Sequence, residues 1–454
     1  MRFWHIGSPT YLCPHFFREL GERYVVKIFA PQRKIQNKFL KINLMNSDEQ
    51  ARGGQNALQM FTIFFACLLA VSMMVSPFLL SVSMWGLVAA AFWNQSLGHR
   101  SDELRRAGAW LKILVESFRN LFRRPPFALL SLLLLVRIPF LVLPWAFANL
   151  PRLTQRQLQL VLYVLVWALA VICIGASVNF ALHFDDIMVG IGRGQSIPVP
   201  RNHIRFSLIL ATGILAGGWL WAKGFYWHWR WERKAFGAAV IFLFLFIHVL
   251  SVRSGIMGLY AALLFSIARF VWRTRRWGIG LIALIIIGVL PIVAVSAIPS
   301  FRMRVQYMLW DWQQYRQDVG NTYSDSERWV SLRAGWQLWQ ENPVLGVGAG
   351  DLPAEVRRVV GERYPGYTEA PKLPHNQFLY ILAGTGLFGL ALSLTAFFAP
   401  VFVGRSRHFY LFAVFQILVF ASFLVEYTIE TAMGVAFYLF YTLFFMKMAE
   451  EEAG

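Results

Sequence analysis

Four positions in this 454-residue chain combine a chemistry-bearing side chain with a place beside an apolar run: Arg205, Arg253, Arg328 and His375. Arg205 follows His203 at the start of one such run. Arg253, in Ser251-Val252-Arg253-Ser254-Gly255, lies between two short ones. Arg328 opens an amphipathic segment, and His375, in Pro374-His375-Asn376-Gln377, stands where a long polar segment returns to apolar sequence. Singly, each has an ordinary explanation: a snorkelling arginine, a turn residue, a solvated helix start, a capped interfacial histidine. Together, arginines at the rim of an apolar cavity suit a lipid-linked pyrophosphate. A guanidinium keeps its charge and grips phosphate oxygens as a fork. Charge within a membrane is costly, which adds weight to a functional reading. A neutral imidazole, with an ordinary pKa of about 6.5, can take the proton of an attacking hydroxyl. No carboxylate cluster suited to a metal stands out: Asp185-Asp186 is in a short outer loop, and there is no Asp-x-Asp. The chemistry permitted is displacement of pyrophosphate from an anomeric carbon, with arginines rather than a divalent cation stabilising the leaving group.

Those residues must be carried by membrane-spanning elements. Hydrophobic residues make up 57% of the chain and charged residues 15%, too little polar surface for a soluble protein of this length. Runs such as those containing 242–250 and 281–291 have spanning length, and they are continuous rather than alternating, so helices are expected and a barrel is not. The formal charge of +19 would suggest nucleic acid in a soluble protein. Here the charge gathers in short loops beside apolar runs, the signature of membrane topology, and no nucleic-acid partner is expected. Cys13, Cys67 and Cys173 have no metal-site spacing and imply no disulfide framework. The first fifty residues contain no signal-peptide core, because Tyr24–Ala30 is short and broken by Lys27; insertion is expected to be driven by later helices.

Residues 1–56 read as a basic cytoplasmic arm on anionic lipid, 57–298 as transmembrane helices, 299–375 as an outer loop carrying the site, and 376–448 as C-terminal transmembrane helices. Basic loops at Lys223–Lys234, Arg269–Arg276 and Arg405–Arg407 orient the second half, with 299–375 outside. That segment holds nine basic and nine acidic residues, so its position outside does not violate the charge rule. Counting back from there places 94–124 outside despite its excess of basic residues. The simplest repair makes 125–148, interrupted by Arg137, Pro139 and Pro144, a broken or re-entrant pair. Ten to twelve spans are expected.

Within the outer loop, Ser326 is placed to cap a helix that runs to Asn342 and stops at Pro343. Trp329, Leu332, Trp336 and Trp339 share one face of it, a stripe read as docking on the bundle or the interface in preference to stacking on a sugar. Gly346-Val347-Gly348-Ala349-Gly350 looks like a phosphate-cradling loop but follows a helix instead of a strand. It is read as a flexible turn, with Asp351 capping a second short helix.

The stretch Ser326-Glu327-Arg328-Trp329 through Glu341-Asn342-Pro343-Val344-Leu345-Gly346-Val347-Gly348-Ala349-Gly350, then His375-Asn376-Gln377-Phe378-Leu379 and Gly384-Thr385-Gly386-Leu387-Phe388-Gly389, resembles the O-antigen ligase family; Arg253-Ser254-Gly255 fits as well. The resemblance covers roughly 200–446. It implies an all-α, polytopic, GT-C-like glycosyltransferase bundle with a large helical periplasmic loop, in a bacterial inner membrane. By the same resemblance, glycan moves from undecaprenyl pyrophosphate to a hydroxyl acceptor such as lipid A–core oligosaccharide, without metal or cofactor. His375 would be the catalytic base and Arg253 and Arg328 donor-phosphate ligands, with Arg205 and Arg304 matched by place. The related polymerase, which uses the same donor, is the nearest alternative. A transporter would need charges along the whole membrane path and internal repeats, and neither is seen.

Overall fold

The computed structural model describes residues 53–96, 138–316, 324–363 and 371–453. The chain divides into two units, 1–58 and 59–454; the first contributes only the start of a helix to the described residues. The basic arm, apart from 53–56, lies outside them, as do segment 97–124, Arg137 and most of the suspected re-entrant pair.

Every regular element among the described residues is helical. An opening hairpin, α1 (Gly53–Val75) and α2 (Pro77–Ser96), turns at Ser76-Pro77. Next come the short α3 (Pro139–Ala148), α4 (Gln155–Leu182), the small α5 (Phe184–Gly192), α6 (His203–Ala222), α7 (Glu232–Leu250), α8 (Arg253–Thr274) and α9 (Trp277–Ala297). Segment 299–375 supplies α10 (Pro299–Arg316), α11 (Ser324–Glu341) and α12 (Leu352–Arg363). The chain closes with α13 (Gln377–Phe398), α14 (Tyr410–Phe423) and α15 (Ala432–Ala453). Nine of the described helices are long and apolar enough to cross a membrane, and α3 and α14 are shorter apolar helices. The expected polytopic all-α bundle is therefore what the chain forms.

The helix starts are written into the sequence. Thr154 and Gln157 form a capping box at α4, with Thr154 N–H donating to Gln157 Oε1 at 2.7 Å and Gln157 N–H to Thr154 Oγ1 at 3.3 Å. Asn202 caps α6, accepting from the backbone N–H of Ile204 and Arg205. The turn between α7 and α8 is made by Ser251 in left-handed conformation, φ 50°. At the centre, α8 packs on α6 and α14. A Cβ at Gly255 would meet Ser207 Cβ at 2.5 Å and Ser207 O at 2.7 Å, so only glycine lets the first turn of α8 approach α6 this closely.

Side-chain contacts sort the helix ends onto two faces. On one, Asn94 donates to Asn149 O at 2.9 Å, Gln59 to Arg152 O at 2.8 Å, Gln155 to Met448 O at 2.7 Å, and Lys223 pairs with Glu452. The two ends of segment 96–149 thus meet on a single face. The ten-residue α3 is too short to span alone. The starts of α6, α8 and α13 lie on the opposite face, as does the α14–α15 turn.

The outer segment has its own core. Val330, Ala334 and Leu338 of α11 pack with Val356, Val359 and Val360 of α12 and with Tyr380, Ile381 and Ala383 of α13. The docking stripe is therefore Val330-Ala334-Leu338, whereas Trp329 and Trp336 remain 45% and 48% exposed. The glycine-rich turn is not a free loop either. Val347 and Gly348 donate backbone N–H to Ala383 and Gly384 carbonyls at 3.0 and 2.9 Å, and Leu387 donates to Pro343 O at 2.9 Å. These bonds close across a break in α13 at Gly386, φ 66°, where a Cβ would sit 2.1 Å from Val344 O. Two amides of the turn are thus spent on α13, a use that departs from phosphate cradling.

Candidate active site

His375 lies just before α13, and its neighbours explain its placement. Asn376 caps the helix, accepting from Leu379 N–H at 3.0 Å, while its own amide donates to Leu424 O at 2.9 Å. Gln377, fully buried, donates to Glu430 at 2.9 Å and accepts from Ile429 N–H at 3.0 Å. His-Asn-Gln therefore stitches the start of α13 to the α14–α15 turn. That turn carries Glu426, whose Oε1 lies 3.3 Å from His375 Nδ1. Nε2 of His375 makes no hydrogen bond to the protein, and the ring rests 5.2 Å from that of Tyr427.

Glu426 is 2% exposed and also faces Arg205 Nη1 at 3.8 Å. Burial alone would raise its carboxyl; His375 beside it, followed by Arg205 and Arg328, outweighs burial and holds it below the usual carboxylate range. The buried Arg205 also donates to Tyr427 O at 3.1 Å. Its guanidinium is thus committed to the turn that holds Glu426.

Arg253 and Arg328 come together as the sequence suggested. Both line a cavity of about 410 Å³ with His375, Ser326, Trp312 and Trp329, within the size range of small-molecule sites. Both also line a small polar recess behind it, beside His203, Arg304 and Glu426. Arg304 is anchored there, donating to Gly194 O at 2.7 Å. Of the five residues read from the sequence, three share the large cavity, Arg304 borders the recess, and Arg205 sits beneath Glu426.

Two features have no counterpart in the sequence reading. The first is Glu426. The available signal was an acid at the outer turn between the apolar runs 410–425 and 429–446, where an uncompensated charge is expensive. The second is Asp311, fully buried, which accepts from the N–H and hydroxyl of Ser326 and clamps α10 to α11. Ser326 does not cap α11, which begins two residues earlier; its hydroxyl serves Asp311 instead. Glu327 pairs with Lys372, tying the start of α11 to the approach to His375. Among the described residues no three His, Cys, Asp or Glu side chains gather as a metal site would require.

The arrangement offers two arginines at a cavity, a histidine backed by a carboxylate, and an apolar wall. It can bind a polyanion and move a proton to a ring nitrogen. Residues 238–394, which include Arg253, Arg304, Arg328 and His375, match the family described as O-Antigen ligase. The chain is also 28% identical over 237 residues to an O-antigen ligase of Salmonella typhimurium, covering 51% of this chain and 53% of that protein. It thus spans about half the length of that curated relative. The family resemblance read from the motifs is borne out.

Proposed function

From an O-antigen ligase domain at residues 238–394, we propose that this membrane protein is a glycosyltransferase that moves a polysaccharide from undecaprenyl pyrophosphate to a hydroxyl of lipid A–core oligosaccharide. The site faces the periplasm of a bacterial inner membrane. The observation that carries the reading is the convergence of Arg253, Arg328 and His375 on one cavity, with Glu426 against the far nitrogen of the histidine.

Arg253 and Arg328 bind the donor pyrophosphate and take up the charge that grows on it as the glycosidic bond to phosphate breaks. His375 Nε2 accepts the acceptor's proton as the hydroxyl oxygen bonds to the anomeric carbon. The bonding pair leaves with the pyrophosphate. Glu426 fixes the ring orientation and stabilises the imidazolium, the part a carboxylate plays beside a catalytic histidine. Arg205 contributes by holding Glu426 and its turn, and Arg304 by shaping the recess behind the arginines. No step calls for a divalent cation.

Deleting the gene and resolving lipopolysaccharide on a gel tests this reading. Loss of all long glycan from core supports the ligase. Core carrying a single repeat would instead support a polymerase using the same donor, and an unchanged ladder would overturn both.

A further inference from the structure

Beyond the arginines and histidine, the large cavity has an aromatic wall. Trp312 of α10 and Trp329 of α11 both line it, and both are large apolar side chains left 42% and 45% exposed. Their ring centroids are 5.4 Å apart at 52°. Trp312 is backed by Tyr315 at 6.0 Å and 29°, and Tyr315 is itself buried with the Arg333 guanidinium 5.3 Å from its ring centre. The Asp311–Ser326 clamp sets the register of α10 on α11, and with it the relation of the two tryptophans. Tyr315 flanks Trp312 in the same cavity, and the clamp fixes the two helices while both indoles stay open to it.

A general interfacial belt does not account for this placement. Trp310 and Trp336 are exposed to a similar degree on the same two helices, yet neither lines the cavity. What distinguishes Trp312 and Trp329 is the company of Arg253, Arg328 and His375. A hydrocarbon chain gains nothing from a neighbouring guanidinium, whereas a pyranose ring suits both surroundings. Its C–H face is apolar with a slight positive charge and complements the negative face of an indole. Its hydroxyls and any attached phosphate remain free for polar groups. Arg328 and Trp329 line the same cavity, so a phosphate on the arginine leaves the sugar bonded to it within that cavity, beside the tryptophan wall.

Resting on the transferase reading above, we infer that Trp312 and Trp329 form a stacking subsite for the pyranose joined directly to the donor pyrophosphate. The wall would let the enzyme favour glycan-loaded over bare carrier lipid and would orient the anomeric carbon toward His375.

The test compares binding of two probes to the full-length protein in nanodiscs: a polyprenyl pyrophosphate, and the same lipid carrying one pyranose. Wild type should bind the glycosylated probe more tightly. Trp329→Leu and Trp312→Leu should each lose about three- to tenfold in that preference while binding the bare probe as wild type does. Trp329→Phe should keep part of it, and Trp336→Leu all of it. Arg328→Ala should weaken both probes alike. Trp variants that weaken both probes equally, or neither, overturn the subsite. Variants that leave donor preference intact but raise KM for the acceptor overturn it too, and assign the wall to acceptor sugar. A wild type that binds neither probe defeats the transferase reading, and the subsite falls with it.

Discussion

At the level of single residues, the proposed work divides between a base, His375, and its anion binders, Arg253 and Arg328. Removing His375 as alanine should cost about 10²–10⁴-fold in transfer with donor binding largely kept, the usual range for general-base catalysis. Arg253→Ala and Arg328→Ala should weaken donor binding and slow transfer as well, with lysine rescuing only in part because a point charge lacks the bidentate fork. Single-turnover rates measured beside donor affinity separate the two classes. A His375→Ala protein that lost donor binding but kept its rate once bound would refute the base. Glu426 carries a pH signature of its own. Its folded carboxyl lies below the usual carboxylate range, since His375, Arg205 and Arg328 outweigh its burial. A depressed carboxylate pKa contributes stability that is present above the unfolded value and fades as pH falls through the folded one. Thermal melts from neutral pH downward should therefore show wild type losing an advantage over Glu426→Gln as acid is added. Parallel curves at every pH would show that the carboxylate is not held by its neighbours. Arginine and histidine could be singled out from sequence because each stands beside apolar sequence. Glu426 could not be paired with His375, because the two stand far apart in the chain and are brought together by tertiary contacts such as those of Asn376 and Gln377 with residues 424–430.

At the element scale, the outer helices hold the site by two devices of different visibility. Several helix boundaries were readable from apolar runs and prolines: the hairpin at 253, the helix ending before Pro343 and the re-entry after His375 fall where the pattern places them, whereas the cap read at Ser326 does not. The face each outer helix buries was not, since tryptophan and aliphatic stripes on α11 compete and only α12 and α13 decide between them. The glycine turn was hidden for a related reason: its amides bond to carbonyls that α13 frees by breaking at Gly386. A backbone pairing of this kind leaves no side-chain pattern. Gly386→Ala combines a positive φ with a Cβ 2.1 Å from Val344 O, so it should unseat the turn and destabilise the outer helices. Limited proteolysis of purified protein should show faster cleavage near 343–350 than in wild type. Unchanged protection would show that the turn is held by something other than this pairing.

At the scale of the whole molecule, all the proposed chemistry gathers at one face, opposite the face carrying Lys223 and Glu452. If the basic loops are cytoplasmic, a cysteine placed at Glu362 should react with an impermeant reagent in intact spheroplasts, and one at Arg275 should not. The reverse pattern would put the cavity on the wrong side for a periplasmic acceptor. On the proposed mechanism, arginines and a histidine suffice to move glycan off a lipid pyrophosphate. The direct measurement is single-turnover transfer by the purified protein in nanodiscs, under thorough chelation, from a polyprenyl-pyrophosphate-linked glycan to lipid A–core. The account predicts glycan on core and free polyprenyl pyrophosphate in equal amounts, at a rate that added magnesium or manganese leaves unchanged. Transfer that stops with chelator and returns with either cation would contradict it.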